Sequence, residues 1–168
     1  MSNVRPHVHP SRSIEAVDPQ GSAALSLLQE AAIEARALYP ESHAPDARWP
    51  YNPPTPPRGI YLVAFVGGGP VACGALRPMD ERTVEVRRMF VRSVARRQGH
   101  ARAVLSSLER YAVQYGFRIM LLETGNRQSA AMALYESFGF SRIAAFGKHA
   151  SDPTSVCYEK HVAPSREA

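Results

Sequence analysis

An arginine-rich turn that contains a glycine, residues 96–101, lies between a predicted strand and a predicted helix. Apolar and charged residues alternate from Thr83 to Val91, which predicts the strand, and apolar residues recur at helical spacing from about Gly99 to Gly116. A glycine there lets a ligand approach the first, unpaired N–H groups of the helix, and these attract anions. The turn therefore predicts a phosphate site. The alternative is a tight turn with solvated arginines.

Two segments downstream of this turn carry further motifs. The turn itself reads Arg-x-x-Gly-x-Ala after a strand that ends Met89-Phe90-Val91. Residues 121–125 read Leu-Leu-Glu-Thr-Gly, and residues 133–140 read Ala-Leu-Tyr-Glu-Ser-Phe-Gly-Phe. In this order and spacing the three segments resemble the acetyl-CoA-binding motif, the next strand and the Leu-Tyr-x-x-x-Gly-Phe segment of the GNAT superfamily of N-acetyltransferases. The resemblance covers about residues 13–161.

Hydrophobic periodicity divides the rest of the chain into strands and helices. An antiparallel front half and a strand–helix–strand–helix centre predict an α/β (α+β) fold, as the resemblance also implies. We expect a mixed, mostly antiparallel central sheet of about six to seven strands flanked by helices. A single domain over 13–161 would lie between flexible tails at 1–12 and 162–168. The further predicted elements are strands at 13–17, 60–66, 71–76, 118–124, 141–146 and 155–160, and helices at 22–38, capped by Asp18, and 129–138.

The net charge of +5 is concentrated in one part of the chain. Seven arginines fall within 21 residues, at positions 82, 87, 88, 92, 96, 97 and 102. Such a cluster suits nucleic acid, an anionic cofactor or a solvated face. We expect no nucleic-acid partner, because the chain shows neither stacking aromatics nor a recognition helix, whereas the phosphates of coenzyme A suit a local cluster.

The expected location is cytoplasmic, without a membrane partner. No apolar run approaches the roughly 18 residues that span a bilayer, and the N-terminus lacks the apolar core of a signal peptide. Cys73 and Cys157 allow one pair, and Cys73 lies in an apolar strand-like stretch and is expected to be a reduced core residue. No metal is expected, since the six histidines, at 7, 9, 43, 100, 149 and 161, lack ligand spacing. A homodimer is expected, because closing strands of small domains often pair.

The resemblance implies that backbone groups hold acetyl-CoA. The N–H groups from Arg97 to Arg102 would face the diphosphate, and Met89-Phe90-Val91 would pair with the pantetheine arm like an added strand. The resemblance also implies a bulge that splays the sheet at this strand and one N–H there that polarises the thioester carbonyl, although periodicity shows neither. Gln128 stands seven residues before Tyr135, where many family members carry an asparagine that contacts the arm, and Asn126, two residues earlier, is the alternative amide. The predicted cofactor-binding residues are Met89, Phe90, Val91, Arg96, Arg97, Gln98, Gly99, His100, Ala101, Arg102, Gln128 and Tyr135.

Tyr135 is the predicted general acid. In the resembling segment the tyrosine hydroxyl points at the thioester sulfur and protonates the thiolate as it leaves. A phenol with its ordinary pKa of about 10 is protonated at neutral pH, as this role requires. The alternative interpretation is a core tyrosine on the apolar stripe of its helix.

Glu85 is the predicted general base, acting on the acceptor amine directly or through water. It lies four residues before Met89 on the strand that would hold the thioester, where many GNAT enzymes place a carboxylate. One alternative is an ion pair between Glu85 and Arg87 with no catalytic part. Another is Glu123, which ends the neighbouring strand, as the base.

Strand alternation predicts the neighbours of this carboxylate. It places Glu85, Arg87 and Met89 on one face, and Val86, Arg88 and Phe90 on the other. Because a carboxylate and a guanidinium share a face, we expect a small acceptor with a carboxylate near its amine, paired with Arg87 or Arg88. This expectation describes small-molecule acetylation of the bacterial type.

Residues 39–58 contain seven of the 14 prolines together with Tyr39, Trp49 and Tyr51. Rigid backbone and aromatic side chains predict an ordered binding wall, and the alternative is a mobile surface loop. The predicted substrate-binding residues are Arg87, Glu123, Trp49 and Tyr51. The predicted function is acetyl transfer from acetyl-CoA to a primary amine by direct attack. The alternative is a non-catalytic acyl-CoA-binding or regulatory domain.

Overall fold

The computed structural model describes residues 10–163, so most of both predicted tails lies outside the described residues. Within these residues, seven strands form one sheet with three α-helices. The strands are β1 Arg12–Ala16, β2 Ile60–Val66, β3 Gly69–Pro78, β4 Thr83–Val91, β5 Ile119–Gly125, β6 Ser141–Ile143 and β7 Ser155–His161. The helices are α1 Ser22–Leu38, α2 His100–Gln114 and α3 Ser129–Ser137.

The strands are arranged in the order β1-β2-β3-β4-β5-β7-β6. Neighbours are antiparallel except β4 and β5, which run parallel and are joined through α2. This mixed, mostly antiparallel sheet of seven strands confirms the predicted α/β fold class.

The apolar faces of α1 and α2 pack on opposite sides of the sheet. The side covered by α1, the α1 face, buries Ala24, Leu27, Tyr61, Val63, Cys73 and Ala75. The side covered by α2, the α2 face, buries a larger set that includes Leu62, Val84, Val86, Val104, Leu105 and Leu108. Truncation of one such buried leucine to alanine costs about 2–5 kcal/mol, so these two clusters are what hold the helices to the sheet.

The predicted Asp18 cap is wrong. Helix α1 begins at Ser22, and Gly21 occupies the capping position without a side-chain hydrogen bond. Asp18 closes a turn instead: its Oδ1 accepts from the N–H of Gln20 at 2.9 Å, and its carbonyl accepts from the N–H of Gly21 at 2.9 Å. The sequence Asp-Pro-Gln-Gly has aspartate, proline and glycine where a four-residue β-turn prefers them, and this turn chemistry prevails over helix capping.

The strand predicted over 141–146 is shorter than expected. Strand β6 ends at Ile143, and residues 144–154 form an irregular connection to β7. Gly147 adopts a φ of 54°, which turns the chain into a 3-10 turn at Gly147–Ser151. This turn carries His149.

The predicted alternation along β4 is wrong after Arg87. Two residues of β4 lie between Arg87 and Phe90, whereas only one residue of β3 lies between their partners, so β4 contains a bulge. Arg88 adopts a φ of 60° there. An extra residue reverses the faces of all that follow it. Met89 accordingly packs on the α2 face with Val86, and Phe90 packs on the α1 face.

Both cysteines of the chain are buried free thiols, as expected for Cys73. Burial raises the pKa of Cys73 to about 12, and its Sγ donates to the carbonyl of Arg88 at 3.0 Å. Burial also raises the pKa of Cys157. Because the thiolate is the nucleophile, we expect neither cysteine to react with iodoacetamide at pH 8 in the folded protein.

Mass spectrometry after timed labelling tests this prediction. The folded protein should remain unmodified while the same protein in denaturant gains two labels. Rapid single labelling of the folded chain would contradict it.

Within residues 10–163, no helix combines the length and apolar character needed to cross a membrane. The same residues contain no group of three or more His, Cys, Asp or Glu side chains arranged to hold a metal ion.

Candidate active site

The central strands β4 and β5 separate halfway along their length. They pair from Thr83 with Ile119 to Val86 with Leu122, and no further pairing of β4 with β5 occurs among the described residues. Strand β5 continues on its other edge, paired with β7 as far as Gly125. The backbone groups of residues 87–91 that face β5 are therefore without a strand partner. An unpaired strand edge accepts an extended chain, and this edge contains the predicted Met89-Phe90-Val91 contact.

The first turn of α2 faces open space. Gly99 precedes the helix with a φ of 79°, and a Cβ built on it would meet no atom within 4 Å. The first intrahelical bond runs from the N–H of Ala103 to the carbonyl of Gly99 at 3.1 Å. The N–H groups of His100, Ala101 and Arg102 thus precede the helical ladder and have no partner within the helix. This geometry fits an anion such as a diphosphate.

The arginine cluster is not one continuous patch. Arg92 forms an ion pair with Glu30 of α1 at 2.8 Å, and Arg96 pairs with Glu34, one turn further along α1. The Nε of Arg96 also donates to the carbonyl of Val91 at 3.0 Å. The guanidinium of Arg96 is thus engaged by α1, and its predicted cofactor contact would come from its backbone.

The side chains of three other predicted cofactor residues differ in whether they are available to a ligand. The Arg97 side chain is exposed and makes no hydrogen bond within residues 10–163, and Arg102 donates to Ser137 Oγ at 2.6 Å. The His100 ring turns toward β1, with Nδ1 3.2 Å from the guanidinium of Arg12. Burial, and then the charge of Arg12, lower the pKa of His100. His100 is therefore suited to offer its backbone N–H rather than its ring.

Two more predicted cofactor residues lie at the edges of this region. Gln98 is exposed beside Gly99. Gln128 caps α3, its backbone N–H donates to the carbonyl of Gly125 at 3.0 Å, and its side chain is exposed. The amide of Gln128 is thus available to a ligand.

Tyr135 of α3 is buried, with 5% of its surface exposed. Its ring packs against Phe140 and Tyr158, with centroids 5.9 and 6.1 Å away. The hydroxyl makes no hydrogen bond within the described residues. Burial, and then the charge of Glu123, raise the pKa of Tyr135. The side chain thus fits both interpretations, since its ring belongs to the core and its hydroxyl stays protonated.

Two carboxylates and one imidazole, those of Glu85, Glu123 and His149, lie together on the α1 face and are called the α1-face cluster. Nε2 of His149 is 3.9 Å from Glu85 Oε1, and Nδ1 of the same ring is 3.9 Å from Glu123 Oε2. Ser155 Oγ donates to Glu123 Oε1 at 2.9 Å, which fixes that carboxylate. The Arg87 guanidinium lies 3.9 Å from Glu85 Oε2, a contact that fits the ion-pair interpretation.

The sequence predicted Glu85, Glu123 and Arg87 but missed His149. His149 belongs to no motif, and its loop replaces a predicted strand. The folding of β7 back along β5 brings the loop beside the two carboxylates, a contact across 64 and 26 residues that no local pattern encodes.

The proline-rich segment 39–58 is anchored to the bulge in β4. Asn52 is buried: its Nδ2 donates to the carbonyl of Pro19 at 2.8 Å, and its Oδ1 accepts from Arg88 Nε at 2.9 Å. Arg88 also donates to the carbonyl of Tyr51 at 2.9 Å. The guanidinium of Arg88 is therefore occupied, which leaves Arg87 as the candidate partner for an acceptor carboxylate.

The aromatic residues of this segment divide into two kinds. The Tyr39 hydroxyl is buried against Gly125 and accepts from the N–H of Arg127 at 2.9 Å. The guanidinium of Arg36 stacks on the ring of Trp49 at 3.8 Å, and Trp49 remains 55% exposed. Tyr51 is 75% exposed. A role for Trp49 and Tyr51 in binding an acceptor stays a prediction.

A strand edge open to an extended arm leads toward a helix N-terminus open to phosphate, and the α1-face cluster can hold and release protons. This is the arrangement that the resemblance to acetyl-CoA-binding proteins implies. The fold and the site thus define the class of acyl-CoA-dependent acyltransferases.

Comparison with known proteins identifies the family. The model of the acetyltransferase (GNAT) family matches residues 24–140. The chain is 34% identical over 154 residues to the IAA acetyltransferase of Azospirillum brasilense, a match that covers 90% of this chain and 98% of that protein. The solved structure of a Klebsiella pneumoniae protein assigned as an acyl-CoA N-acyltransferase matches with a TM-score of 0.72 at 30% identity, over 89% of this chain and 97% of that one.

A GNAT family acetyltransferase from Elizabethkingia anophelis, solved with acetyl-CoA bound, shares the fold with a TM-score of 0.65 at 16% identity, over 90% of this chain and 98% of that one. The chain belongs to the acetyltransferase (GNAT) family, and it is an acetyltransferase.

Proposed function

We propose that this acetyltransferase moves the acetyl group of acetyl-CoA to a primary amine by direct attack of the amine on the thioester within a ternary complex. The observation that carries the proposal is the separation of β4 from β5 beside the open N-terminus of α2. The unpaired edge at residues 87–91 suits the amide-rich pantetheine arm, and the first turn of α2 suits the diphosphate.

Different groups of the chain would carry out different steps of this reaction. A backbone N–H on the unpaired edge of β4 would polarise the thioester carbonyl, and such a donor is worth about 3–4 kcal/mol of barrier. Glu85 would take the proton of the acceptor ammonium. Tyr135, whose raised pKa keeps its hydroxyl protonated, would give a proton to the departing thiolate.

The proposed acceptor is a small amine that carries a carboxylate. Arg87 lies on the α1 face beside Glu85, with about a third of its side chain exposed. An acceptor whose ammonium meets Glu85 would present a nearby carboxylate to Arg87. A guanidinium binds a carboxylate through charge-assisted hydrogen bonds.

Calorimetric titration followed by a thiol-release assay tests the proposed function. Acetyl-CoA should bind with micromolar affinity, and a panel of amino acids, uncharged amines and polyamines should include acceptors that release coenzyme A. The buried cysteines of the protein should not interfere with a thiol reagent. Absence of acetyl-CoA binding would contradict the proposal, and binding without thiol release for any amine would favour the non-catalytic alternative.

Arg87→Ala should raise the KM for an acidic acceptor by roughly 10- to 150-fold, because one charge-assisted hydrogen bond contributes about 1.5–3 kcal/mol. The KM for an uncharged amine and the affinity for acetyl-CoA should not change. Steady-state kinetics with one acceptor of each kind measures this difference.

Arg82→Ala is the matched control, since Arg82 belongs to the same arginine cluster but is exposed just before β4. An unchanged KM of Arg87→Ala for the best acidic acceptor would rule out the proposed role of Arg87.

A further inference from the structure

We propose that His149 relays the proton of the acceptor ammonium from Glu85 to Glu123. The inference rests on the proposed function, in which Glu85 receives that proton, and it assigns a second role to the α1-face cluster. His149 would act through Glu85 and is a positioning and relay residue rather than a group that touches the reacting atoms.

The geometry of the imidazole carries the proposal. Its two nitrogens each lie 3.9 Å from a different carboxylate, Nε2 from Glu85 and Nδ1 from Glu123. A neutral imidazole accepts a proton on one nitrogen and donates one from the other, so a ring in this position links the two carboxylates. Phe146 holds the ring edge-on, with centroids 5.3 Å apart and an angle of 86° between the planes.

The exposure of the three side chains gives the relay its direction. Side-chain exposure is 14% for Glu85, 15% for His149 and 27% for Glu123. The proton therefore moves from the more buried carboxylate toward the one nearer to solvent. Each gap of 3.9 Å exceeds a hydrogen bond by about 1 Å, a distance that a small side-chain rotation closes.

The other charged or titratable groups around His149 are unsuited to this transfer. Arg87 of β4 does not release its proton. Burial, with the charges of Glu123 and Glu85, raises the pKa of Cys157 on β7, so its thiol stays protonated. Asp152, whose N–H donates to the carbonyl of His149 at 3.1 Å, accepts from Thr154 and has a lowered pKa.

The proton balance of the relay is closed. The acceptor ammonium loses one proton to the Glu85 carboxylate, and the resulting carboxylic acid gives it to Nε2 of His149. The proton on Nδ1 passes to Glu123, which releases it to water. The imidazole ends in its other tautomer and returns by ring rotation or by exchange with water, so one proton has moved from the acceptor to solvent.

His149→Ala measured with and without free imidazole tests the relay. We expect kcat to fall about 10- to 100-fold, within the range of general acid–base contributions, with the acid side of the pH–rate profile displaced. The affinity for acetyl-CoA, measured by calorimetry, should be unchanged. Added imidazole should restore a large part of kcat. A kcat within twofold of wild type, or a loss that imidazole does not restore, would overturn the proposal.

His161→Ala is the control, because His161 is 71% exposed and pairs with Glu159 outside this cluster. Its kcat and its response to imidazole should match those of the wild type.

Nuclear magnetic resonance of the histidine rings separates the relay from the proposed function, since it requires no acceptor. In Glu85→Gln and in Glu123→Gln, the ring ¹⁵N shifts of His149 should both change while those of His161 stay constant. If the ¹⁵N shifts of His149 changed in neither variant, or in only one of the two, the proposed link between the imidazole and the two carboxylates would be overturned. If both change and yet no amine releases thiol from the wild type, the proposed function fails while the link between the three side chains stands.

Discussion

Gly99→Glu should lower the affinity for acetyl-CoA at least about 100-fold, equivalent to about 2.7 kcal/mol. Gly99 has a φ of 79°, where a side chain costs roughly 1–2 kcal/mol of backbone strain. A Cβ there meets no protein atom, so the fold accommodates the new side chain. The added carboxylate would stand in front of the first N–H groups of α2 and repel a phosphate. Calorimetric titration of acetyl-CoA measures the loss.

The hairpin between β2 and β3 supplies a matched control for this substitution. Gly68 has a φ of 81° and likewise has nothing within 4 Å of a built Cβ. Gly68→Glu therefore carries the same backbone strain and the same charge at a remote turn. The two variants should lose similar amounts of thermal stability, and only Gly99→Glu should lose affinity. Equal affinities of the two variants for acetyl-CoA would contradict the assignment of the phosphate site.

Tyr135→Phe should lower kcat by about 10²- to 10⁴-fold, the contribution expected of a general acid. The KM for acetyl-CoA should change little, because the variant keeps the ring. Stability should also be retained, since the hydroxyl makes no hydrogen bond within residues 10–163 and the packing on Phe140 and Tyr158 is preserved. Steady-state kinetics and thermal unfolding measure the two effects.

The pH dependence of the wild type provides a second check on Tyr135. Burial and the charge of Glu123 raise the pKa of this phenol above its ordinary value of about 10. The hydroxyl therefore keeps its proton throughout the range from neutral pH to about 10, and Tyr135 should cause no loss of kcat on the alkaline side of that range.

Tyr158→Phe is the matched control for Tyr135→Phe. Tyr158 is buried beside Tyr135, and its hydroxyl donates to Glu136 Oε1 at 3.0 Å. Losing this bond should cost about 1–3 kcal/mol of stability and leave kcat unchanged. If both variants lost kcat equally, the effect would belong to packing in this region rather than to proton donation by Tyr135.

The sequence was sufficient wherever structure follows from local periodicity. The bounds of α1 and β4, Ser22–Leu38 and Thr83–Val91, agree with the predictions to the residue, because α1 has one consistent buried stripe and burial alternates along the first half of β4. The left-handed backbone conformation of Gly99 is likewise a local property, and it is compatible with the anion-site interpretation. A glycine before a helical stripe is a local signal with a specific backbone meaning.

What the sequence could not provide depends on contacts between distant segments. The bulge at Arg88 is stabilised by Asn52, 36 residues earlier, and it reversed the expected faces of Met89 and Phe90. His149 reaches Glu85 only because the connection after β6 leaves the sheet. Periodicity describes a strand that continues undisturbed, and it carries no information on a side chain from elsewhere that interrupts or approaches it.

The two ion pairs between α1 and the segment after β4 have a consequence for how tightly a ligand binds. Glu30 and Glu34 lie one turn apart on α1 and hold Arg92 and Arg96. Exposed pairs of this kind add only about 0–1 kcal/mol each to the stability of the fold. They do, however, fasten the first half of the segment that leads from β4 into α2, at Arg92 and Arg96. The conformational entropy of that segment is lost when the chain folds rather than when a ligand arrives, so the proposed anion site that follows it would be partly preorganised.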